Sequence, residues 1–403
     1  MNILGIESSC DDTSVALVKK NHDTFVILAE KTASQITIHK KYGGVVPEIA
    51  GREHATAIMP VIEAVMEGQE KPDAIAVTSG PGLITGLVIG IEAAKTLSYL
   101  WEIPLIRVNH MDGHVHSVEL KTQSGSCRTK VTRLRSHELR RGEETKTQNL
   151  KKETDPAAAG QNQEIMFPAL CLLVSGGHTE LLLSTDHGIY QKLGATRDDA
   201  AGECFDKVGK LLGFDYPGGP KISALAKEGN SNAIPFPRPM LKEPNFPKGP
   251  HGWDFSFAGL KTAALYWLRD HELSALDMNP DLPAGIWGVR HNDPTRADFC
   301  ASFEQAIVDV IVEKTCRAAL LYQPKTIIMG GGVSANEKIR ETLRTELNKI
   351  LPDVPFLIPE KKYSMDNGAM IAVAGYYQTK KNNFTSWRDS IADPNWEAYS
   401  EKY

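Results

Sequence analysis

"ILGIESSCDDTSVALV", residues 3–18, reads as an apolar strand, a polar turn rich in serine and aspartate, and a second apolar strand. The pattern returns at residues 169–184 as "ALCLLVSGGHTELLLS", with SGGHT in the place of SSCDDT. Two similar hairpins, each leading one half of the chain, predict an internally duplicated protein of two lobes. In such turns the backbone N–H groups can face phosphate oxygens, and glycine or small polar residues let a ligand approach. Either hairpin alone could equally be an ordinary structural one; it is the pairing that favours a duplicated scaffold.

Working outward, residues 73–109 run strand (DAIAVTS), glycine loop (GPGLITG), helix (LVIGIEAAKTLSYLW) and strand (PLIRVN), a β-α-β unit. A second unit spans 317–358, where a helix leads into TIIMGGGVSAN and a further helix. Alternation of this kind predicts an α/β protein with parallel or mixed sheets covered by helices, and ligands near the carboxyl ends of the strands.

A length of 403 residues is enough for two lobes of ordinary size. The chain holds no run of about 18 uncharged apolar residues, so no membrane span or membrane partner is expected. The opening residues carry neither a secretory nor a transit pattern, and a cytoplasmic protein follows. Its six cysteines contain no C-x-x-C pair, which argues against a zinc ribbon or a disulfide framework. A net charge of -5 excludes a globally basic nucleic-acid binder, so any polyanion must meet a local patch.

One stretch offers such a patch, either as a basic arm that touches RNA phosphates or as a solvated insertion with no role. Residues 121–164 hold ten Lys or Arg between Lys121 and Lys152 and hardly any large apolar residue, and are expected to form a mobile basic insertion. Residues 234–252 are dense in proline and read as a long loop near a ligand face.

The stretch VNHMDGHVHS, residues 108–117, follows a strand end and spaces His110 and His114 at i, i+4. On a helix both imidazoles share one face and can share an ion, while His116 falls on the opposite face as a bystander. A carboxylate is needed as third ligand. Asp366, just before the small-residue helix of SMDNGAMIAVAGYY, either caps that helix or coordinates the metal. A zinc peptidase would need Glu beside the first histidine, as in H-E-x-x-H, and here that neighbour is Met111. FSFAGLKT lacks the first glycine of a P-loop, and Cys10 has no adjacent histidine to activate it, so it reads as a packed thiol.

GIESSCDDTSVA, VVPEIAGREH, TSGPGLITGL, the span Lys95 to Val115, LVSGGHTEL, DDAAGECFDKVGKLLG, YPGGP, FSFAGLKTA, GGGVSAN and SMDNGAM together, in order over about residues 1–380, closely resemble the TsaD family, once called the glycoprotease family. The resemblance implies an ASKHA (actin/Hsp70/sugar-kinase-like) duplicated two-lobe fold, with lobes at 1–109 completed by a C-terminal helix 366–385, and at 110–365. Residues 386–403 are a tail beyond the family pattern.

It also implies an acyltransferase. Such enzymes move the threonylcarbamoyl group of threonylcarbamoyl-AMP to N6 of the adenosine 3' of the anticodon, in tRNAs reading codons that begin with A, and release AMP. By the resemblance His110, His114 and Asp366 would hold one divalent ion, iron or zinc. Leu173, Val174, Ser175, Gly176 and Gly177 would line the adenylate, Asp206 and Gly219 the ribose region, and Asn336 the adenine or ribose. Attack by a weakly nucleophilic aromatic amine benefits from a base, for which Asp11 in the first hairpin turn is the candidate, the alternative being that it only shapes the turn. Family members typically work with a TsaB-like paralogue and a TsaE-like ATPase, and a TsaC-like enzyme supplies the intermediate. The competing classes are a non-catalytic partner subunit of the same fold, a metallopeptidase and a sugar kinase.

Overall fold

The computed structural model describes residues 1–121, 132–135, 164–241, 252–271 and 294–399. The strands are β1 (Asn2–Glu7), β2 (Asp12–Asn21), β3 (Thr24–Ser34), β4 (Ala74–Gly80), β5 (Leu105–Asn109), β6 (Thr132–Arg135), β7 (Ala169–Val174), β8 (Thr179–Asp186), β9 (Ile189–Ala195), β10 (Thr326–Gly330) and β11 (Phe356–Leu357). The helices are α1 (Ile36–His39), α2 (Pro47–Met66), α3 (Ile84–Trp101), α4 (His110–His116), α5 (Ala201–Leu211), α6 (Gly219–Ala226), α7 (Ala258–Asp270), α8 (Arg296–Tyr322), α9 (Glu337–Ile350) and α10 (Gly368–Lys380).

The first sheet has the order β5-β4-β1-β2-β3-β6 and the second β11-β10-β7-β8-β9. Leaving β6 aside, the two orders are the same: a leading hairpin, a third strand beyond it, then two later strands added on the other side. In the first sheet β1 runs antiparallel to β2 and parallel to β4; in the second β10 is parallel to both β7 and β11. The duplication foreseen from the two hairpins is therefore a duplication of sheet topology.

Contacts divide the chain into one unit of Met1–Ile165, Ser184–Tyr190 and Ile358–Tyr403, and another of Met166–Leu183 and Gln191–Leu357. The expected lobe boundary at residue 110 is thus displaced. Helix α4 packs on α10 in the first unit, so it cannot open the second. The expectation for 121–164 also needs correction at one place: β6 pairs in parallel with β3, Lys31 to Ser34 opposite Thr132 to Arg135. Backbone pairing to a sheet edge needs no apolar side chains, and for that reason composition did not reveal it. The rest of the insertion, and residues 242–251 of the proline-dense stretch, lie outside the described residues.

In the first unit, strand alternation sorts side chains to two faces. Leu4, Ile6, Val15 and Leu17 meet Ala57, Ile58, Val61, Ile62 and Val65 of α2 and Ile91 and Ala94 of α3. The other face presents Ile3, Ala16, Ala74 and Ala76, and receives α10 through Ala369, Met370, Ala372 and Val373. Small residues allow that helix to come very close. A Cβ on Gly5 would stand 2.0 Å from the Gly368 carbonyl oxygen, and one on Gly368 would stand 2.7 Å from the Gly5 oxygen. The start of α10 is thereby pinned over β1, with the Gly368 amide donating to Ser14 Oγ at 3.0 Å.

The tail also belongs to this unit. The Asp393 amide donates to the Ser79 carbonyl at 2.8 Å, and Asn109 Nδ2 to the Trp396 carbonyl at 2.9 Å. Among the described residues no helix is long and apolar enough to cross a membrane.

Candidate functional site

Strand β5 ends at Asn109, whose side chain caps α4 by accepting from the Met111 amide at 2.9 Å. The cap sets the helical phase, and with it the i, i+4 alignment of His110 and His114, whose ring centroids lie 4.6 Å apart. Asp366 arrives from the chain leading into α10. Its Oδ1 lies 3.5 Å from His110 Nε2 and 3.3 Å from His114 Nε2. The helix cap is not Asp366 but Asn367, which accepts from the Met370 amide at 2.9 Å. The capping role that sequence left open thus falls one residue further on.

Whether these three residues suit a metal can be judged from His114. It is fully buried, its Nδ1 lacks a hydrogen-bond partner, and its Nε2 has only the Asp366 carboxylate at 3.3 Å. A buried imidazole normally satisfies at least one nitrogen, and an ion shared with Asp366 and His110 would satisfy this one. The ligating atoms of His110, His114 and Asp366 all lie within 4.8 Å of one another. The residues fit a divalent cation bound by two imidazoles and a carboxylate.

Behind His110 stands Glu7, a member of this cluster that sequence reading missed. Its side chain is fully buried at the end of β1. Oε2 accepts from Thr78 Oγ1 at 2.6 Å and lies 3.0 Å from His110 Nδ1, while Oε1 accepts from the Ser9 amide at 2.6 Å. Burial alone raises this carboxyl, yet His110 and Ser9 together hold it below the ordinary range. Burial likewise lowers His110, but the Glu7 and Asp366 carboxylates push it up to about 9. A carboxylate on Nδ1 fixes the ring so that Nε2 faces the ligand position. The available signal was an acid closing an apolar strand in GIESS. For Glu7→Gln, metal affinity is expected to fall about 10- to 100-fold with the fold retained; competition against a chromophoric chelator measures it, and an unchanged affinity would remove Glu7 from the site.

The first hairpin turn is clamped by His54 of the VVPEIAGREH segment. His54 Nδ1 lies 2.7 Å from Thr13 Oγ1, and Nε2 lies 3.0 Å from the Cys10 carbonyl oxygen. The glycine loop packs on the same turn, its Leu83 amide donating to the Ser9 carbonyl at 2.7 Å. Asp11 lies in that turn, partly exposed. Cys10 is held well above the ordinary thiol range by burial first and then by Asp11 and Asp366. Cys10→Ser is accordingly expected to keep transfer activity within about twofold, since the thiol has no thiolate to offer near neutral pH; a loss in steady-state assays would make Cys10 a participant.

In the second unit, four motifs meet at the carboxyl ends of β7 and β10. The turn after β7 is closed by the Ser175 amide on the His178 carbonyl at 2.8 Å and by the His178 amide on Ser175 Oγ at 3.1 Å. Gly176 and Gly177 are exposed, and a Cβ on either would meet nothing within 4 Å. The first turn of α5 abuts this hairpin, the Gly202 amide donating to the Ser175 carbonyl at 3.2 Å. From β10, Gly331 has φ of 87° and leaves only 2.4 Å between a hypothetical Cβ and the Val174 oxygen. A side chain there would be excluded on both counts.

Asp206 is tied to Gly219, another of the predicted residues, its Oδ1 accepting from the Gly218 amide at 2.7 Å and the Gly219 amide at 3.3 Å. Burial raises this carboxyl despite the two amides. Asn336 is engaged within the protein. It caps α9 by accepting from the Ile339 amide at 3.0 Å, and its Nδ2 donates to Ser223 at 2.9 Å and Glu304 at 2.8 Å. Lys261 of the FSFAGLKT segment pairs with Asp199 at 2.6 Å, which makes it a structural cation rather than a phosphate lysine.

Duplicated mixed sheets covered by helices, each built outward from a leading hairpin, define an α/β protein of the ASKHA class. A solved structure titled T.kodakarensis HypF matches with a TM-score of 0.52 at 12% identity, covering 97% of this chain and 49% of that one, which is a likeness of fold. The profile of the TsaD family, described as tRNA N6-adenosine threonylcarbamoyltransferase, matches residues 26–135 and 154–373, and the chain belongs to that family. Proteins so named from Thermomicrobium roseum and from an Anaeromyxobacter species are each 40% identical, the first over 94% of this chain and 93% of its own length, the second over 98% and 99%.

Proposed function

We infer that the chain is a tRNA N6-adenosine threonylcarbamoyltransferase, transferring threonylcarbamoyl from threonylcarbamoyl-AMP to N6 of the adenosine 3' of the anticodon in tRNAs reading codons that begin with A. The observation that carries this reading is the convergence of His110, His114 and Asp366 in a chain whose family is described by that activity. These three residues would hold one iron or zinc ion. When bound, that ion supplies positive charge for the threonyl part of the substrate and fixes its position.

The open turn Leu173–Gly177 would line the adenylate, its glycines admitting the phosphate close to the backbone. Asp206 and Gly219 would meet the ribose region. Asn336, with its donors already committed to Ser223 and Glu304, would reach the adenine or ribose only by exchanging one of those bonds, and otherwise positions that wall. In the reaction N6 forms a bond to the carbamoyl carbon, the bond from that carbon to the phosphate oxygen breaks, and AMP leaves. Asp11 would take the proton that N6 gives up. A TsaB-like paralogue and a TsaE-like ATPase would assist, in the cytoplasm where tRNA is modified.

A peptidase is disfavoured by the structure as well as by Met111. Asp112, the acid that follows it in sequence, is turned away to the Tyr190 hydroxyl and to His116. Nucleoside analysis of unmodified tRNA, incubated with the metal-loaded chain and threonylcarbamoyl-AMP with and without the partner proteins, tests the reading. Threonylcarbamoyladenosine is the expected product; none under either condition would bring the non-catalytic subunit forward.

A further inference from the structure

The face of α4 opposite His110 and His114 is not idle. His116, expected as a bystander, forms with Glu119 and His187 a second group whose ligating atoms lie within 4.8 Å of one another. All three belong to the first unit. His116 is fully buried, and its Nδ1 lies 2.8 Å from Glu119 Oε1. The His116 and His187 ring centroids are 5.1 Å apart with planes 28° from parallel. Two imidazoles bound through nitrogen at ~2.1 Å to one tetrahedral ion have centroids roughly 5 Å apart.

Supporting contacts orient each member. Tyr377 stacks on both rings, 4.6 Å from His116 and 3.6 Å from His187 between centroids. Its hydroxyl donates to Glu119 Oε2 at 2.6 Å, so that Oε1 is the oxygen turned to His116. Asp112 Oδ1 lies 3.4 Å from His116 Nε2, on the far side of the ring from Glu119, and is itself held by the Tyr190 hydroxyl. A carboxylate behind an imidazole whose other nitrogen meets a second carboxylate, with a second imidazole close by, fits the outer-shell pattern of a metal ligand.

We propose that His116, Glu119 and His187 form a second metal site, separate from that of His110, His114 and Asp366, which takes a zinc-class divalent cation and ties the hairpin segment Ser184–Tyr190 to α4. Two imidazoles and one carboxylate suit zinc or cobalt(II) rather than magnesium or calcium. Without an ion the same 2.8 Å contact serves as a hydrogen bond, so ions must be counted.

The full chain, stripped with a chelator and checked by circular dichroism, is titrated with Zn2+ and separately with Co2+, the bound metal being read by elemental analysis and by visible absorption. Two equivalents are expected for the unaltered chain, and one each for His187→Ala and for the His110→Ala, His114→Ala pair. Glu119→Gln, which keeps the shape of the residue beside Tyr377, is expected to weaken the second equivalent at least tenfold. One equivalent in the unaltered chain, or two undiminished equivalents in both His187→Ala and Glu119→Gln, overturns the proposal.

Discussion

Asp366→Ala is expected to abolish metal binding at the His110–His114 site and to lower the rate of threonylcarbamoyladenosine formation about 100-fold or more, while leaving the protein folded. Asp366 Oδ1 is the atom toward which both histidine Nε2 atoms turn, at 3.5 and 3.3 Å, and removing it takes away the carboxylate the two imidazoles share, leaving only Glu7 behind His110. Stability separates this from the capping alternative. Loss of an N-cap costs about 1 kcal/mol, but the cap here is Asn367, so Asp366→Ala should move the unfolding midpoint little and Asn367→Ala should carry that cost. Elemental analysis, nucleoside analysis and urea denaturation on the two variants give the crossed result. Full activity in a demonstrably metal-free Asp366→Ala protein would sink the assignment of this carboxylate.

Gly5→Val is expected to be the most damaging single change away from the sites, destabilising the first unit by about 3 kcal/mol or more. The obstruction is backbone: the Gly368 carbonyl oxygen would stand 2.0 Å, and the Ala372 amide nitrogen 2.6 Å, from the new Cβ. No side-chain rotation relieves such a contact. The whole of α10 has to lift, and Asp366 moves with its first turn. Metal affinity is therefore expected to fall together with stability, although Gly5 touches no ligand. Denaturation midpoints and metal titration of the same variant check it; an unchanged midpoint would mean that the helix seat is softer than its packing suggests.

The two changes illustrate different kinds of information in the chain. The strands, the β-α-β units and the duplication were legible because they are local: periodicity, punctuation by glycine, and a repeated hairpin are written in consecutive residues. His110 and His114 were legible for the same reason, since one helical turn brings i and i+4 together whatever the rest of the chain does. The ten motifs carried the family.

What consecutive residues could not supply was the company each side chain keeps. Nothing near Asp366 in sequence says whether it caps a helix or faces two histidines. That was decided by Asn367 taking the cap and by Gly5 and Gly368 letting α10 settle on β1. Glu7 looked like a strand-end acid until it met His110, 103 positions away. His116 looked idle because its partners include His187 and Tyr377, delivered by a hairpin tip and a helix far along the chain. Sequence by itself determined which elements form and which residue types are available for chemistry, because backbone preferences and amphipathic period act over a few residues. Only the tertiary structure decided which carboxylate stands behind which imidazole. That depends on long-range packing, where close backbone contact is permitted at glycine and forbidden elsewhere.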